Sequence, residues 1–479
     1  MNRRMIAHIL GLVLLIYAAL MVLPMAAGLY YGENISGFAA AALITAATGF
    51  LLSRIKVSTT DIFAREGFIA VGMAWVLMGL FGALPFVFSG DIPNYIDAVF
   101  ETVSGLTTTG ATILNDIEGM SRGGLFWRSF THWIGGMGVL VFIMAVLPMS
   151  GEHSMHIMRA EVPGPTVGKL VPRARQTAMI LYIIYGVLTV LETVFLMLGG
   201  MSFFDALLHA FGTAGTGGFS TKAASIAAFD SVYIEMVIAV FLVLFGINFN
   251  LYYLILIGRL KDALKSRELH CYLGIIALFT LSIALGISKM YEGFGTALRH
   301  GFFNTMTIIT TAGFGTEDFT QWPAYTQMLI VLLMFMGACA GSTGGGIKVS
   351  RVMLLFKSAQ ADISQIFRPR TVRRVEMDGK RVDPATAKAV YVFFFVYIAV
   401  ILAAAFVVSF DGHDFTTSFT AGLSCMSNVG PGLSKVGPVG NYDIFSWGSK
   451  IVLTLTMLIG RLEIYPILIL FSRELWRRK

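Results

Sequence analysis

Four times along this chain a short, half-polar segment runs into a glycine-bearing tetrad, each time between two long apolar runs. The tetrads are Thr107-Thr108-Thr109-Gly110, Ala214-Gly215-Thr216-Gly217, Thr310-Thr311-Ala312-Gly313 and Ser427-Asn428-Val429-Gly430. Their glycines lie 107, 96 and 117 residues apart (110 to 217, 217 to 313, 313 to 430). Few architectures accommodate this pattern. The flanking runs are long enough to cross a bilayer, and the segments between them are not.

Composition places the chain in a membrane. Hydrophobic residues make up 56% of it and charged residues only 13%, where soluble domains carry roughly a quarter charged. Apolar runs lie near 5–31, 36–53, 66–89, 124–149, 178–200, 232–258, 271–290, 324–357, 385–410 and 447–471. Most reach the roughly 20 residues a crossing needs, which gives an all-α, multi-pass protein with both termini on one side. Most of the 35 Lys and Arg fall in the N-terminus, 54–65, 159–175, 259–267, 348–388 and the tail from Arg473. The alternate loops carry Glu33, Asp91, Asp97, Asp116, Glu118, Glu317, Asp318, Asp411 and Asp414. By the positive-inside rule both termini and the basic loops are cytoplasmic. The formal charge of +7 is therefore an orientation signal and calls for no nucleic-acid partner.

Arg3-Arg4 followed by an apolar run resembles a signal peptide, but the run exceeds the usual length of such a region and reads as a first transmembrane helix. Cys271, Cys339 and Cys425 form neither a disulfide framework nor a zinc pattern. His153 and His156 have no cysteine or acidic company that would make them metal ligands.

The chain divides into a two-helix preface (1–60) and four units, 61–150, 151–265, 266–360 and 361–479, each of span, short segment and span. The short segments are 94–108, 202–214, 296–310 and 414–427. Helix-start residues stand at three of them: Asn94 after Pro93, Ser202 with Asp205, and Asp411 with Asp414. Non-helical backbone at membrane depth survives only where it is buried or lines a wet cavity. Glycine tolerates positive φ, so a short stretch can turn several carbonyls toward one axis and replace a cation's hydration shell. The negative ends of the short helices favour a cation at the same place. No tetrad carries a charged side chain, which suits a monovalent ion better than Ca²⁺ or Mg²⁺. Close packing of membrane helices also uses Gly and Thr, but not four times in register.

Ser104-Gly-Leu-Thr-Thr-Thr-Gly-Ala-Thr112, Thr131-His-Trp-Ile-Gly-Gly-Met-Gly138, Gly217-Gly-Phe-Ser-Thr221, Thr310-Thr-Ala-Gly-Phe314, Gly341-Ser-Thr-Gly-Gly-Gly346, Asn428-Val-Gly-Pro-Gly432 and Gly460-Arg-Leu-Glu-Ile464 together resemble the Trk/Ktr/HKT superfamily of potassium uptake proteins, in its TrkH branch. The two-helix preface fits that branch. The resemblance implies one pore per subunit in the bacterial inner membrane, a homodimer in membrane lipid, and K⁺ (also Rb⁺) as the transported ion with no covalent cofactor. It also implies a cytosolic RCK-type nucleotide-binding regulator of the TrkA type. The implied filter comprises Thr108, Thr109, Gly110, Gly215, Thr216, Gly217, Thr311, Ala312, Gly313, Asn428, Val429 and Gly430. In plant relatives serine at the first filter glycine accompanies sodium selectivity; Gly110 implies potassium. Thr216 and Ser427 depart from the family's usual residues. A symporter coupling K⁺ to H⁺ or Na⁺ is the alternative, with Glu192 as its titratable group.

The long run 324–357 is interrupted by five glycines and two hydroxyl residues within 337–346, and each Gly costs about 1 kcal/mol relative to Ala in a helix. The interruption is either a close-packing kink or, as the resemblance implies, a gating loop of Gly341, Ser342, Thr343, Gly344, Gly345 and Gly346. It imitates a phosphate loop, but Ile347 stands where a Walker lysine belongs and no strand precedes it. Ser342 with Lys348 is the only visible intramembrane nucleophile pair, and no enzyme activity follows from it. Arg461 lies mid-span, where a charge must face a cavity or a partner. The resemblance sets it beneath the filter against 341–346; an ion pair with Glu463 or Glu192 is the other reading. Lys348 is either a second inner-mouth charge or a cytoplasmic anchor. Arg368, Arg370, Arg373, Arg374, Lys380 and Arg381 make 358–388 a basic cytoplasmic loop for lipid or regulator.

Overall fold

A computed structural model describes residues 2–57, 64–138, 174–367, 375–377 and 380–472. The expected basic segment 159–175 lies mostly outside these residues, as do His153, His156, Arg368, Arg370, Arg373, Arg374 and the tail from Arg473.

Helices account for nearly all the regular structure among the described residues, and the strands form one short hairpin of Glu376–Met377 with Lys380–Arg381. Among the described residues six helices are long and apolar enough to cross a bilayer: Arg3–Tyr30, Ser36–Ser53, Glu66–Ser89, Gln176–Leu198, Arg267–Ile287 and Pro384–Asp411. Their outward faces carry exposed Leu43, Leu51, Leu198, Leu285, Phe395 and Phe406, a surface suited to lipid tails.

The first helical pair, Arg3–Tyr30 and Ser36–Ser53, packs on itself and on the first unit. In each of the four units a short helix is wedged between the spans: Tyr95–Leu106, Phe203–Gly215, Phe294–Ile309 and Phe415–Ser427. Three are capped as the sequence leads one to expect. Asn94 Oδ1 accepts from Ile96 N–H at 2.9 Å, Ser202 Oγ from Asp205 N–H at 3.1 Å, and Asp414 Oδ2 from Thr417 N–H at 3.0 Å. The Thr417 hydroxyl also donates to Asp414 and holds that carboxyl below its ordinary range. The third helix starts at Gly293 without a side-chain cap.

The second spans depart from continuous runs. Val232–Gly246 turns by 87° into Phe249–Leu256. Ala324–Phe335 is separated by a loop from Val349–Phe367. Trp447–Arg461 gives way to Tyr465–Leu470 across Glu463 and Ile464, both at positive φ (53° and 74°). Arg122–Gly136 ends just before Gly138, at φ 84°. The break expected at 337–346 is thus one of a set. Each broken span exposes peptide groups that must find partners, and those partners lie together beneath the short helices.

Candidate functional site

All four short helices end in one backbone trace. A residue of positive φ is followed two positions later by a glycine of positive φ: Thr108 and Gly110 (54° and 78°), Thr216 and Gly218 (54° and 80°), Thr311 and Gly313 (62° and 77°), Asn428 and Gly430 (57° and 98°). The amide between them reaches back five residues each time: Thr109 to Ser104 O at 2.8 Å, Gly217 to Gly212 O at 2.8 Å, Ala312 to Thr307 O at 2.8 Å, and Val429 to Ser424 O at 3.0 Å. This helix-ending pattern corrects the register of the second tetrad. It is Gly215-Thr216-Gly217-Gly218, one residue later than Ala214–Gly217. Three glycines within four positions leave sequence spacing unable to choose among them; the backbone bond and φ do. Gly217 stands with Thr109, Ala312 and Val429, and Gly218 is the partner of Gly110.

The four traces close into a ring. A Cβ at Gly110 would collide with Gly217 O, one at Gly218 with Ala312 O, one at Gly313 with Val429 O, and one at Gly430 with Thr109 O. Each glycine therefore abuts the corresponding carbonyl of the next unit, in the order one, two, three, four and back to one. The same four glycines line one hollow on the ring's far side from the 337–346 loop. Lys222 also lines that hollow and lies 3.7 Å from Glu118.

Buried polar side chains brace the ring, and sequence reading missed most of them. Phe219 N–H donates to His132 Nε2 at 3.1 Å, so Nδ1 carries the proton and donates to Gly105 O at 2.7 Å. His132 thereby ties the first short helix to the second trace. Arg128 pairs with Glu101 at 2.6 Å, donates to Ser220 O at 2.9 Å and covers the Phe219 ring. Glu101 in turn accepts from the Thr112 hydroxyl at 2.9 Å and Ile113 N–H at 3.0 Å. Asn428 Nδ2 donates to Thr109 Oγ1 and Met457 O, both at 3.0 Å. The Ser424 and Tyr442 hydroxyls donate to Gly430 O, both at 2.7 Å. Glu192 is buried on Ala174–Leu198 against Thr213 of the second short helix.

The loop 336–348 sits directly under the ring. A Cβ at Gly345 would collide with Ser427 O and one at Gly344 would press on Thr310 O at 3.0 Å, and Gly341 and Gly346 hold positive φ (69° and 63°). Every broken span contributes to its support. Cys339 N–H donates to Gly246 O at 3.1 Å, and Phe249 N–H to Gly341 O at 3.0 Å. Arg461 donates to Thr343 O at 2.8 Å, to Gly135 O at 2.6 Å and to Gly136 O at 2.7 Å. Lys348 is buried and donates to Gly344 O, so it is no cytoplasmic anchor. Ser342 donates to Cys339 O at 2.6 Å, which leaves no Ser342–Lys348 nucleophile pair. Glu268 Oε1 accepts from both limbs of the loop region, Ala340 N–H at 2.7 Å and Ser350 N–H at 3.1 Å. Glu463 belongs to Arg351, in a two-bond pair at 2.9 and 2.5 Å.

Among the described residues no group of three or more His, Cys, Asp or Glu side chains gathers as a metal site. The oxygens gathered at the ring are uncharged, from backbone carbonyls and from Thr and Asn side chains.

The TrkH model, described as a cation transport protein, matches residues 33–281 and 275–478 of this chain. The chain belongs to the TrkH family of cation transport proteins. This is a transport family, not an enzyme family. The chain is 36% identical over 485 residues to the Trk system potassium uptake protein TrkH of Salmonella typhimurium, covering all of both chains. It is 34% identical over 482 residues to the Trk system potassium uptake protein TrkG of Escherichia coli, covering 99% of each. The crystal structure of the potassium transporter TrkH from Vibrio parahaemolyticus superposes with a TM-score of 0.89 at 33% identity over the full length of both.

Proposed function

We propose that this chain takes up potassium across the bacterial inner membrane through a gated, channel-like pore. The observation that carries the reading is the closed ring, in which four equivalent backbone traces set Thr109, Gly217, Ala312 and Val429 carbonyls against the glycines of their neighbours. Such a ring replaces an ion's hydration shell without a charged ligand, and it suits K⁺ and Rb⁺. The names of the relatives as potassium uptake proteins support the same ion. In this reading the filter is formed by residues 107–110, 215–218, 310–313 and 427–430.

The loop 341–346, with Lys348 and Arg461 beneath the filter, is the gate. Arg461 acts there both as a cation-repelling charge and as the strap that holds the loop through Thr343 O. The units 61–150, 151–265, 266–360 and 361–479 are four pore repeats behind the preface 1–60, with both termini cytoplasmic. A homodimer working with a cytosolic TrkA-type regulator completes the proposal.

Reversal potentials in proteoliposomes under opposed K⁺ and pH gradients test it. Currents that reverse at the K⁺ equilibrium potential whatever the pH gradient support a channel-like pore. A reversal that tracks pH, or Na⁺, makes the protein a coupled symporter instead.

A further inference from the structure

Thr108, Thr216, Thr311 and Asn428 occupy the same position in the four filter traces, the residue of positive φ at the end of each short helix nearest the gate loop. All four are fully buried. Among their side-chain oxygens, Thr108 Oγ1 and Asn428 Oδ1 have no hydrogen-bond partner. Buried polar oxygens are normally paired, so two in equivalent places of one ring point to a ligand. Thr311 Oγ1 differs from these. It accepts the Gly345 N–H of the gate loop at 2.7 Å. Gly345 also lies beside Asn428, close enough that a Cβ there would meet Asn428 Oδ1 at 3.3 Å.

The loop turns a donor, not an acceptor, toward the filter. Its carbonyls at Thr343 and Gly344 are bound by Arg461 and Lys348, and the Gly345 amide is what reaches the Thr311 oxygen. An N–H aimed at an oxygen does what a cation would do there, and the two exclude one another. We propose that the side-chain oxygens of Thr108, Thr311 and Asn428 form the innermost monovalent-cation site of the filter. The gate loop closes that site by donating Gly345 N–H to Thr311 in place of the ion. Closure is then a competition for one ligand as well as a steric block, and ion occupancy and gate position are linked: more K⁺ at the inner site disfavours the closed loop, and the closed loop weakens K⁺ binding. The proposal rests on the ring acting as a filter.

The test uses the full-length protein, Thr311→Val, which keeps the shape and loses the oxygen, and Thr311→Ser, which keeps the oxygen, each with and without residues 342–346. The thermal unfolding midpoint is followed as KCl replaces choline chloride at constant ionic strength. A ligand that binds the folded state raises that midpoint as the logarithm of one plus its concentration over its Kd. The KCl concentration that produces a given rise should fall about five-fold on deleting the loop, the factor supplied by one hydrogen bond of ordinary net strength. Thr311→Val should abolish that difference between loop-containing and loop-deleted proteins, and Thr311→Ser should restore it. Should Thr311→Val fail to fold, the comparison of the parent and Thr311→Ser with and without the loop still decides. Equal KCl requirements with and without the loop, in a protein that still prefers K⁺ to Na⁺, overturn this proposal alone, as does a difference that persists in Thr311→Val. Absence of any K⁺-specific stabilisation in all six proteins overturns the filter reading and this one with it.

Discussion

Gly110, Gly218, Gly313 and Gly430 combine two constraints that only glycine meets, a positive φ and a neighbouring carbonyl with no room for a methyl group. A side chain at any of them forces the ring wider. Gly110→Ser and Gly218→Ser should therefore both raise Na⁺ flux relative to K⁺ flux in ion-replacement assays. Loss of selectivity on changing Gly217 but not Gly218 would contradict the corrected register. The pair Glu101–Arg128 makes a separate prediction, about stability. Both residues are buried, and removing one partner strands a charge at a cost of about 3–5 kcal/mol. Glu101→Ala should lower the unfolding midpoint of the purified protein sharply, and Glu101→Ala with Arg128→Met should recover much of the loss. An unchanged midpoint in the single variant would show that the pair does not brace the ring. At this scale the sequence was only partly readable. Tetrad glycines stand out in apolar surroundings, but Gly215, Gly217 and Gly218 lie too close together for spacing to rank them. The partnership of Glu101 with Arg128, or of His132 with Phe219, joins elements whose contact no local pattern announces.

The proposed gate is a property of broken elements. Peptide groups at the breaks are held across elements: Gly246 O on Cys339, Phe249 N–H on Gly341, Arg461 on Thr343 and on Gly135 and Gly136. Deleting 342–346 should raise Rb⁺ flux in the absence of a regulator, and Arg461→Ala should do the same by releasing Thr343. Glu268→Ala, which frees Ala340 and Ser350 together, should act in the same direction without touching the pore. Lower flux in Arg461→Ala from a normally folded protein would mean that the arginine serves structure alone. The break at 337–346 was legible because glycines crowd it. Those after Gly246 and Arg461 were not, since Ile247-Asn248 and Glu463-Ile464 carry no breaker; Glu463 and Ile464 nonetheless adopt positive φ, and the Glu463 carboxylate pairs with Arg351. Helix caps at Asn94, Ser202 and Asp414 were readable because a cap is a local hydrogen bond.

Seen whole, the molecule is an apolar shell around a polar ring, and the orientation proposed for it rests on charge. With the basic loops cytoplasmic, in a chain freed of its three cysteines Lys261→Cys should resist a membrane-impermeant thiol reagent applied to intact cells, whereas Glu118→Cys should react. The reverse pattern would invert the topology. Composition and run length sufficed to reveal a multi-pass helical protein, because lipid imposes that pattern on every span. Ring closure was beyond them, since it depends on which carbonyl each glycine meets across the unit boundaries. The central claim is that this ring selects potassium, and ion-replacement flux into proteoliposomes measures it most directly. Protein lacking residues 342–346 should pass K⁺ and Rb⁺ at comparable rates and Na⁺ and Li⁺ far more slowly, with Gly110→Ser narrowing the gap. Equal passage of all four ions, or no Rb⁺ flux from folded protein, would contradict the account.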